Sequence, residues 1–140
     1  MQTKPLASAV TLTASEAKSA QFQIAPYNQH DVHLSYIPVD ITHWAVQLEI
    51  RIYVSDDPQA TALADSTWRP VGTYVDLSAN GTLTFNKTVV RARALAANSA
   101  DRNQVYSFPV AAKKMYVSYL EAGSPSGFGT VSLIMNSNMS

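Results

Sequence analysis

The fold is decided by the stretch Trp44-Ala-Val-Gln-Leu-Glu-Ile-Arg-Ile-Tyr-Val-Ser55. Large apolar side chains occupy every second position of it, namely Trp44, Val46, Leu48, Ile50, Ile52 and Val54. A period of two places these side chains on one face of a β-strand, whereas a helix would scatter them. The stretch 43–55 is therefore predicted to be a strand with one buried face. Asp56-Asp57-Pro58 ends it, because proline lacks a backbone amide and aspartate favours turns.

Shorter alternating runs lie on both sides of this strand. They cover residues 10–13, 21–24, 32–36, 71–77, 82–85, 88–93, 115–120 and 130–135. Asn80-Gly81 predicts a hairpin turn, and the glycine-rich segment 123–129 predicts a flexible hairpin loop. The alanine-rich segment 93–98 is predicted to be a short helix or a loop. Short, regularly spaced strands of this kind predict an all-β, single-domain antiparallel β-sandwich of the jelly-roll type with about eight strands.

The chain is expected to form one domain. Its 140 residues fit one hydrophobic core, and neither an internal repeat nor a linker interrupts them. Residues 21–140 are assigned to the β-sandwich domain. Residues 1–20 have a weak period and are interpreted as an N-terminal arm that contacts a partner or as an edge strand of the same domain.

Charge and composition argue against several classes of partner. Ten Lys and Arg balance ten Asp and Glu, and only 14% of the residues are charged, so a nucleic-acid partner is not expected. No apolar run approaches the length of a membrane span, so no membrane partner is expected either. The absence of cysteine excludes a thiol nucleophile, a thiolate metal site and disulfides.

Three histidines, His30, His33 and His43, lie near Asp31 and Asp40 and suggest a metal site as one hypothesis. If His30 and His33 lie on one strand, however, they point to opposite faces. Asp31 and His33 would share a face, but two ligands do not make a site. The histidines are therefore expected to be surface or partly packed residues, and neither a metal nor a cofactor is expected.

No enzyme signature is found in the sequence. The segment Gly123-Ser124-Pro125-Ser126-Gly127 has proline where a nucleophile elbow needs its serine. Asp56, Asp57, Asp65 and Glu121 offer carboxylates, but the sequence shows no pair at a catalytic separation. The chain is accordingly expected to have no catalytic residues and not to be an enzyme.

The two tryptophans raise a different possibility, stacking on sugars. Trp44 continues the apolar face of its strand, which favours packing in the core. Trp68 precedes Arg69-Pro70-Val71 at the start of a predicted strand and is either packed or exposed. A carbohydrate-binding module is therefore kept as the alternative function.

Three stretches of the sequence occur in a recognisable order along the chain. The first is the strand Trp44-Ala-Val-Gln-Leu-Glu-Ile-Arg-Ile-Tyr-Val-Ser-Asp-Asp57, and the second is Trp68-Arg-Pro-Val-Gly-Thr-Tyr-Val75. The third is Met115-Tyr-Val-Ser-Tyr-Leu-Glu-Ala-Gly123, followed by a glycine loop and Gly129-Thr-Val-Ser-Leu-Ile134. Over residues 43–136 this order resembles the small jelly-roll cement (decoration) proteins of tailed-phage capsids.

That resemblance implies a function, a partner and a location. Such a protein would bind the outside of a phage capsid and stabilise the shell by bridging subunits of the major capsid protein. It would carry no catalytic residues, associate with itself as a dimer or a trimer, with the homodimer preferred, and reside on the virion surface after assembly in the host cytoplasm. The alternative function within the same resemblance is that of a receptor-binding tip protein of a phage tail. Binding only to the assembled shell would stabilise that shell by mass action.

Overall fold

The computed structural model describes residues 1–43, 45–57, 68–73, 84–85, 90–91, 95–96 and 102–139. Within these ranges the chain forms β-strands and no helix. In chain order the strands are β1 (Gln2–Thr11), β2 (Ala17–Lys18), β3 (Phe22–Gln23), β4 (Gln29–Ile37), β5 (Gln47–Ser55), β6 (Arg69–Thr73), β7 (Thr84–Phe85), β8 (Val90–Arg91), β9 (Leu95–Ala96), β10 (Asn103–Pro109), β11 (Lys114–Ala122) and β12 (Thr130–Asn138).

Two antiparallel sheets account for most of these strands. The first sheet has the order β1-β12-β4-β10, and the second has the order β2-β11-β5-β6. In the second sheet β3 also pairs with β11 and β9 pairs with β5, while β7 and β8 form a separate small ribbon. The predicted all-β fold in antiparallel sheets is confirmed, and the jelly-roll connectivity stays a prediction.

The hydrophobic core lies between the two sheets. Leu48, Ile50 and Ile52 of β5, together with Val46 just before this strand, contribute side chains that are at most 1% exposed. The predicted buried face of β5 is thus confirmed for these residues, and Val54 packs against the same cluster. Trp44 lies outside the described residues. The first sheet contributes the inward side chains of β4 and β12, which are Val32, Leu34, Tyr36, Val131, Leu133 and Met135.

The second face of β5 is also largely buried, which the sequence interpretation missed. Gln47 and Glu49 stand on that face and are only 2% and 3% exposed. Glu49 is compensated by Arg51, whose Nη2 lies 2.6 Å from Glu49 Oε1 and whose Nη1 lies 3.2 Å from Glu16 Oε2. The alternating pattern therefore identified the strand but not the environment of its polar side chains.

The N-terminal segment forms an edge strand of the first sheet. β1 pairs with β12 from Gln2 to Thr11, with register shifts on both sides of Ala7. Ala7, and Leu12 directly after β1, are buried in the core. Ala9 has a positive φ of 48°, which accompanies the second irregularity.

Two other elements differ from the sequence interpretation. β10 was not predicted, although it forms seven regular pairs with β4. The segment 93–98 contains β9, whose pairing with Gln47 and Leu48 outweighs the helix propensity of its alanines. The Asn80-Gly81 hairpin lies outside the described residues, as does Asp65.

Candidate binding face

The solvent-facing side of the first sheet is the candidate site. β4 buries every second residue and turns the others outward, and β12 has the same alternation. Because directly paired residues of antiparallel strands point to the same side, the outward residues line up in rows across the sheet. This set, called the outer face below, comprises Thr3, Pro5, Asp31, His33, Ser35, Ile37, Asn103, Val105, Ser107, Thr130, Ser132, Ile134 and Asn136.

One row of the outer face is polar and holds itself in place. It runs across the four strands through Thr3, Asn136, Asp31 and Ser107. Thr3 Oγ1 donates to Asn136 Oδ1 at 2.8 Å, and Ser107 Oγ donates to Asp31 Oδ1 at 2.6 Å. Asn136 Nδ2 also donates to His33 Nε2 in the next row at 3.2 Å. Cross-strand hydrogen bonds of this kind restrict the side chains and reduce the entropy that they would lose on binding.

The adjacent row is mainly apolar and exposed. It runs through Pro5, Ile134, His33 and Val105. Ile134 is 42% exposed and Val105 is 55% exposed, and Ile37, farther along β4, is 64% exposed. Single exposed aliphatic residues are ordinary, so what distinguishes this face is that several of them lie beside an ordered polar row on one sheet.

The size of the outer face fits a broad contact. Four strands of about nine residues, spaced by about 4.8 Å and rising about 3.3 Å per residue, cover roughly 600 Å². Asp31 and His33 are the only residues of the outer face with an ionisable side chain. An open, weakly charged sheet suits a flat protein surface better than a small ligand, because small ligands bind in concave pockets.

The structure separates the histidines. β4 turns His30 inward and His33 outward, as predicted for residues on one strand. The expectation that His30 is at or near the surface is wrong, because it is fully buried. Its burial is tolerated since Nε2 donates to the Val110 carbonyl oxygen at 2.9 Å and Nδ1 lies 2.7 Å from Ser137 Oγ. Desolvation lowers the pKa of His30, which favours the neutral ring.

His43, the third histidine, binds Asp40 in the loop after β4. Asp40 Oδ2 accepts hydrogen bonds from His43 Nδ1 at 2.6 Å and from the Ser126 amide at 2.9 Å, while Oδ1 accepts from the Thr42 amide at 3.1 Å. The Ser126 amide, followed by His43, holds the pKa of Asp40 well below its usual range. Asp40 therefore ties the loop after β4 to the predicted glycine-rich loop. No group of three or more His, Asp or Glu residues suited to a metal occurs in the described part of the chain.

Glu121, the candidate carboxylate nearest the glycine loop, is part of the core. It is fully buried, and it accepts hydrogen bonds from the Tyr36 hydroxyl and, at 2.9 Å, from the Gly129 amide. Burial, followed by the hydrogen bond and the negative charge of Glu121, raises the pKa of Tyr36. The contact joins β4, β11 and the start of β12, so it explains Glu121 as a structural residue.

We expect the free energy of unfolding to fall as the pH rises above about 10, the ordinary pKa of tyrosine. The folded state keeps Tyr36 protonated to a higher pH than the unfolded chain does, so its stabilisation is complete below the unfolded pKa and is lost as the pH rises through the folded one. Tyr36→Phe should reduce this slope in urea unfolding measured from about pH 9 to pH 11. Burial also raises the pKa of Tyr116, to about 12. Some dependence of the unfolding free energy on pH should therefore remain in the Tyr36→Phe variant.

The control for this measurement is Tyr27→Phe, a half-buried tyrosine in a loop away from Glu121. If the unfolding free energy of the wild type and of Tyr36→Phe fell equally steeply with pH, the assignment of this pH dependence to Tyr36 would be contradicted.

Trp68, Tyr116 and Tyr53 pack against one another and do not form an open stacking platform. Trp68 is 8% exposed and packs edge-on against Tyr116, with ring centroids 4.9 Å apart. Tyr116 in turn stacks on Tyr53 at 4.7 Å. Trp68 is thus packed, which settles the choice that its sequence position left open.

Comparisons with known proteins assign neither a family nor a function to the chain. No protein-family model matches the chain, and no curated protein sequence matches it. In the part of the chain that the structure describes, no helix is long and apolar enough to cross a membrane.

The outer face was not recognised from the sequence. Its residues on β4 and β12 alternate with core residues, and each one taken alone is an ordinary surface residue. The alternation of residues 32–36 and 130–135 was a usable signal for half of it. The part that depends on β10 had no clear signal, because Asn103–Pro109 was not recognised as a strand.

Proposed function

We propose that the chain is a non-enzymatic structural protein of a phage virion, which binds the outside of the capsid and bridges its major capsid protein subunits. The observation that supports this proposal best is the open, weakly charged outer face with its exposed row of Ile134, Val105 and Pro5. The fold, in which one face of the first sheet is turned towards solvent, agrees with the same role.

The composition of the outer face is that of a protein-binding surface. Interface cores are depleted in charged residues and combine apolar contacts with hydrogen bonds. The face of roughly 600 Å² approaches the roughly 800 Å² that each partner contributes to a standard interface. Repeated over a capsid lattice, contacts of modest affinity stabilise the shell by mass action and multivalency.

The alternative, a carbohydrate-binding module or tail-tip protein, has less support. Sugar binding by a β-sandwich relies on exposed aromatic side chains that stack on the sugar rings. Trp68, Tyr116 and Tyr53 are instead packed against one another. The outer face has aliphatic residues where such a platform needs aromatic ones.

The test is a lysine at the centre of the outer face. Ile134→Lys should weaken binding to the capsid by about tenfold or more, because the interface would then bury an unpaired charge. The folded state should be retained, since Ile134 is 42% exposed and lysine can extend into solvent. Binding is measured by co-sedimentation with empty capsids stripped of this protein, from the phage that encodes it.

The matched control is Ile41→Lys, the same substitution at a 50% exposed isoleucine in the loop after β4. It should bind like the wild type. Wild-type protein that stays in the supernatant would overturn the proposed function, and equal binding by all three proteins would overturn the role of the outer face.

A further inference from the structure

Strand β10 has one edge that pairs with β4 and one that faces away from the sheet. Arg102 accepts from the Tyr36 amide at 3.0 Å, and Val110 donates to the Asn28 carbonyl at 3.1 Å. In an antiparallel pair the residues that bond to the partner alternate with those that point away. The N–H and C=O groups of Asn103, Val105 and Ser107 therefore point to the opposite edge, and no strand among the described residues pairs with them.

Within the part of the chain that the structure describes, the edge of β10 lacks the features that usually protect a sheet edge. Natural edge strands carry charges, prolines or bulges that prevent pairing with another chain. The other edge of the same sheet, β1, has Lys4, Pro5 and two register shifts. β10 has no charged residue and no register shift, and its proline, Pro109, stands only at its end. Among the described residues, β10 is thus the less protected of the two edges of the first sheet.

We infer that β10 binds an extended segment of the partner protein as an additional, antiparallel strand of the first sheet. This inference rests on the proposed function, because the segment belongs to the capsid protein that the outer face contacts. Asn103, Val105 and Ser107 each offer one N–H and one C=O to the incoming strand. Val105 belongs both to this edge and to the apolar row of the outer face, so the two surfaces are continuous.

The size of the edge favours a segment of the bound partner over a second copy of the chain. Seven residues at about 3.3 Å each, in a sheet about 10 Å thick, present roughly 230 Å². Two copies joined only at this edge would bury far less than the roughly 1,200 Å² of a stable interface. Added to the outer face, the same edge brings the contact to the roughly 800 Å² expected of one partner.

The register specifies the chemistry of the segment. On the outer face, its side chains would lie beside Asn103, Val105 and Ser107, which calls for an apolar residue flanked by small or uncharged polar ones. Proline is excluded at positions whose amide bonds to β10, because it has no N–H to donate. A charged segment is disfavoured, since β10 offers no opposite charge.

The decisive measurement is hydrogen exchange of the Val105 and Ser107 amides. In the isolated chain they should exchange quickly, while the Tyr36 amide, bonded to Arg102, is protected. On capsids they should slow by about tenfold or more. Protection already present in dilute isolated protein, or fast exchange in the bound state, would overturn the inference. Protection that appears only when the isolated chain is concentrated would identify a second copy as the occupant and overturn it as well.

A variant pair gives an independent test. Val105→Pro removes an edge amide without removing a bond to β4, and proline is tolerated on edge strands at such positions. It should weaken capsid binding by about tenfold, whereas Val105→Thr, with the same branching and an intact amide, should stay within about twofold. Equal binding by the two variants would count against strand addition.

Each outcome can be assigned to one of the two proposals. If wild-type protein does not co-sediment with capsids, the proposed function fails and the inference with it. If it co-sediments but the Val105 amide stays unprotected, only strand addition fails. A Val105→Pro chain that lacks a cooperative unfolding transition is set aside, and the exchange measurement on the wild type then decides.

Discussion

Replacing Ile50 by alanine is expected to lower the free energy of unfolding by about 2–5 kcal/mol. Ile50 stands in the middle of β5, is 1% exposed and faces the core between the two sheets. Alanine removes three carbon atoms and leaves a cavity that paired strands on both sides prevent from closing. The measurement is a urea titration. The midpoint should move to a lower urea concentration, while the dependence of the unfolding free energy on urea concentration should stay the same.

Ile37→Ala is the matched control, because Ile37 also lies in a strand but is 64% exposed. Its effect should be about 0.5 kcal/mol or less. A midpoint for Ile50→Ala that equals that of the wild type would contradict the burial of this face of β5.

Replacing Gly123 by alanine is expected to destabilise the fold by more than about 2 kcal/mol. Gly123 has a φ of 91°, which side-chain-bearing residues rarely adopt. In addition, a Cβ there would overlap the backbone carbonyl of Ala45 and lie 2.7 Å from the Val46 amide nitrogen. Backbone atoms just before β5 cannot move without disturbing its pairing with β11, so the strain has no easy release.

Gly127→Ala is the control within the same loop. A Cβ at Gly127 would meet Val39 Cγ1 at 3.0 Å, and this methyl group belongs to an exposed side chain that can rotate. The expected effect is about 1 kcal/mol or less. Thermal unfolding of the two variants compares them directly, and equal melting temperatures would show that the loop near Ala45 is less constrained than the structure indicates.

The glycine loop illustrates what sequence could and could not predict about this region. Its glycines, serines and proline predicted a loop between two strands, and β11 and β12 do flank it. That the loop is anchored by the Asp40 carboxylate depends on residues 86 positions apart in the chain. No local pattern contains such a contact, because it arises only when β4 and β12 pair.

β10 and the histidines show the same limit. Asn103–Pro109 has weak alternation and ends in proline, so its strand conformation follows from pairing with β4 rather than from its own residues. His30 looked like a surface residue, since burial of a histidine requires partners for both ring nitrogens. Ser137 on β12 and the carbonyl oxygen of Val110, just after β10, supply those partners.

The sequence by itself determined the all-β class and the core face of β5, because a two-residue period is a local property that any antiparallel sheet must satisfy. It also indicated that His30 and His33 would point to opposite faces if they shared a strand, and the structure places both on β4. Only the tertiary structure decided which polar residues form one surface. The rows through Asn136 and Ile134 join β1, β12, β4 and β10, which are far apart in the chain, and their register is set by strand pairing. A binding face made of such rows exists only after the sheet has formed.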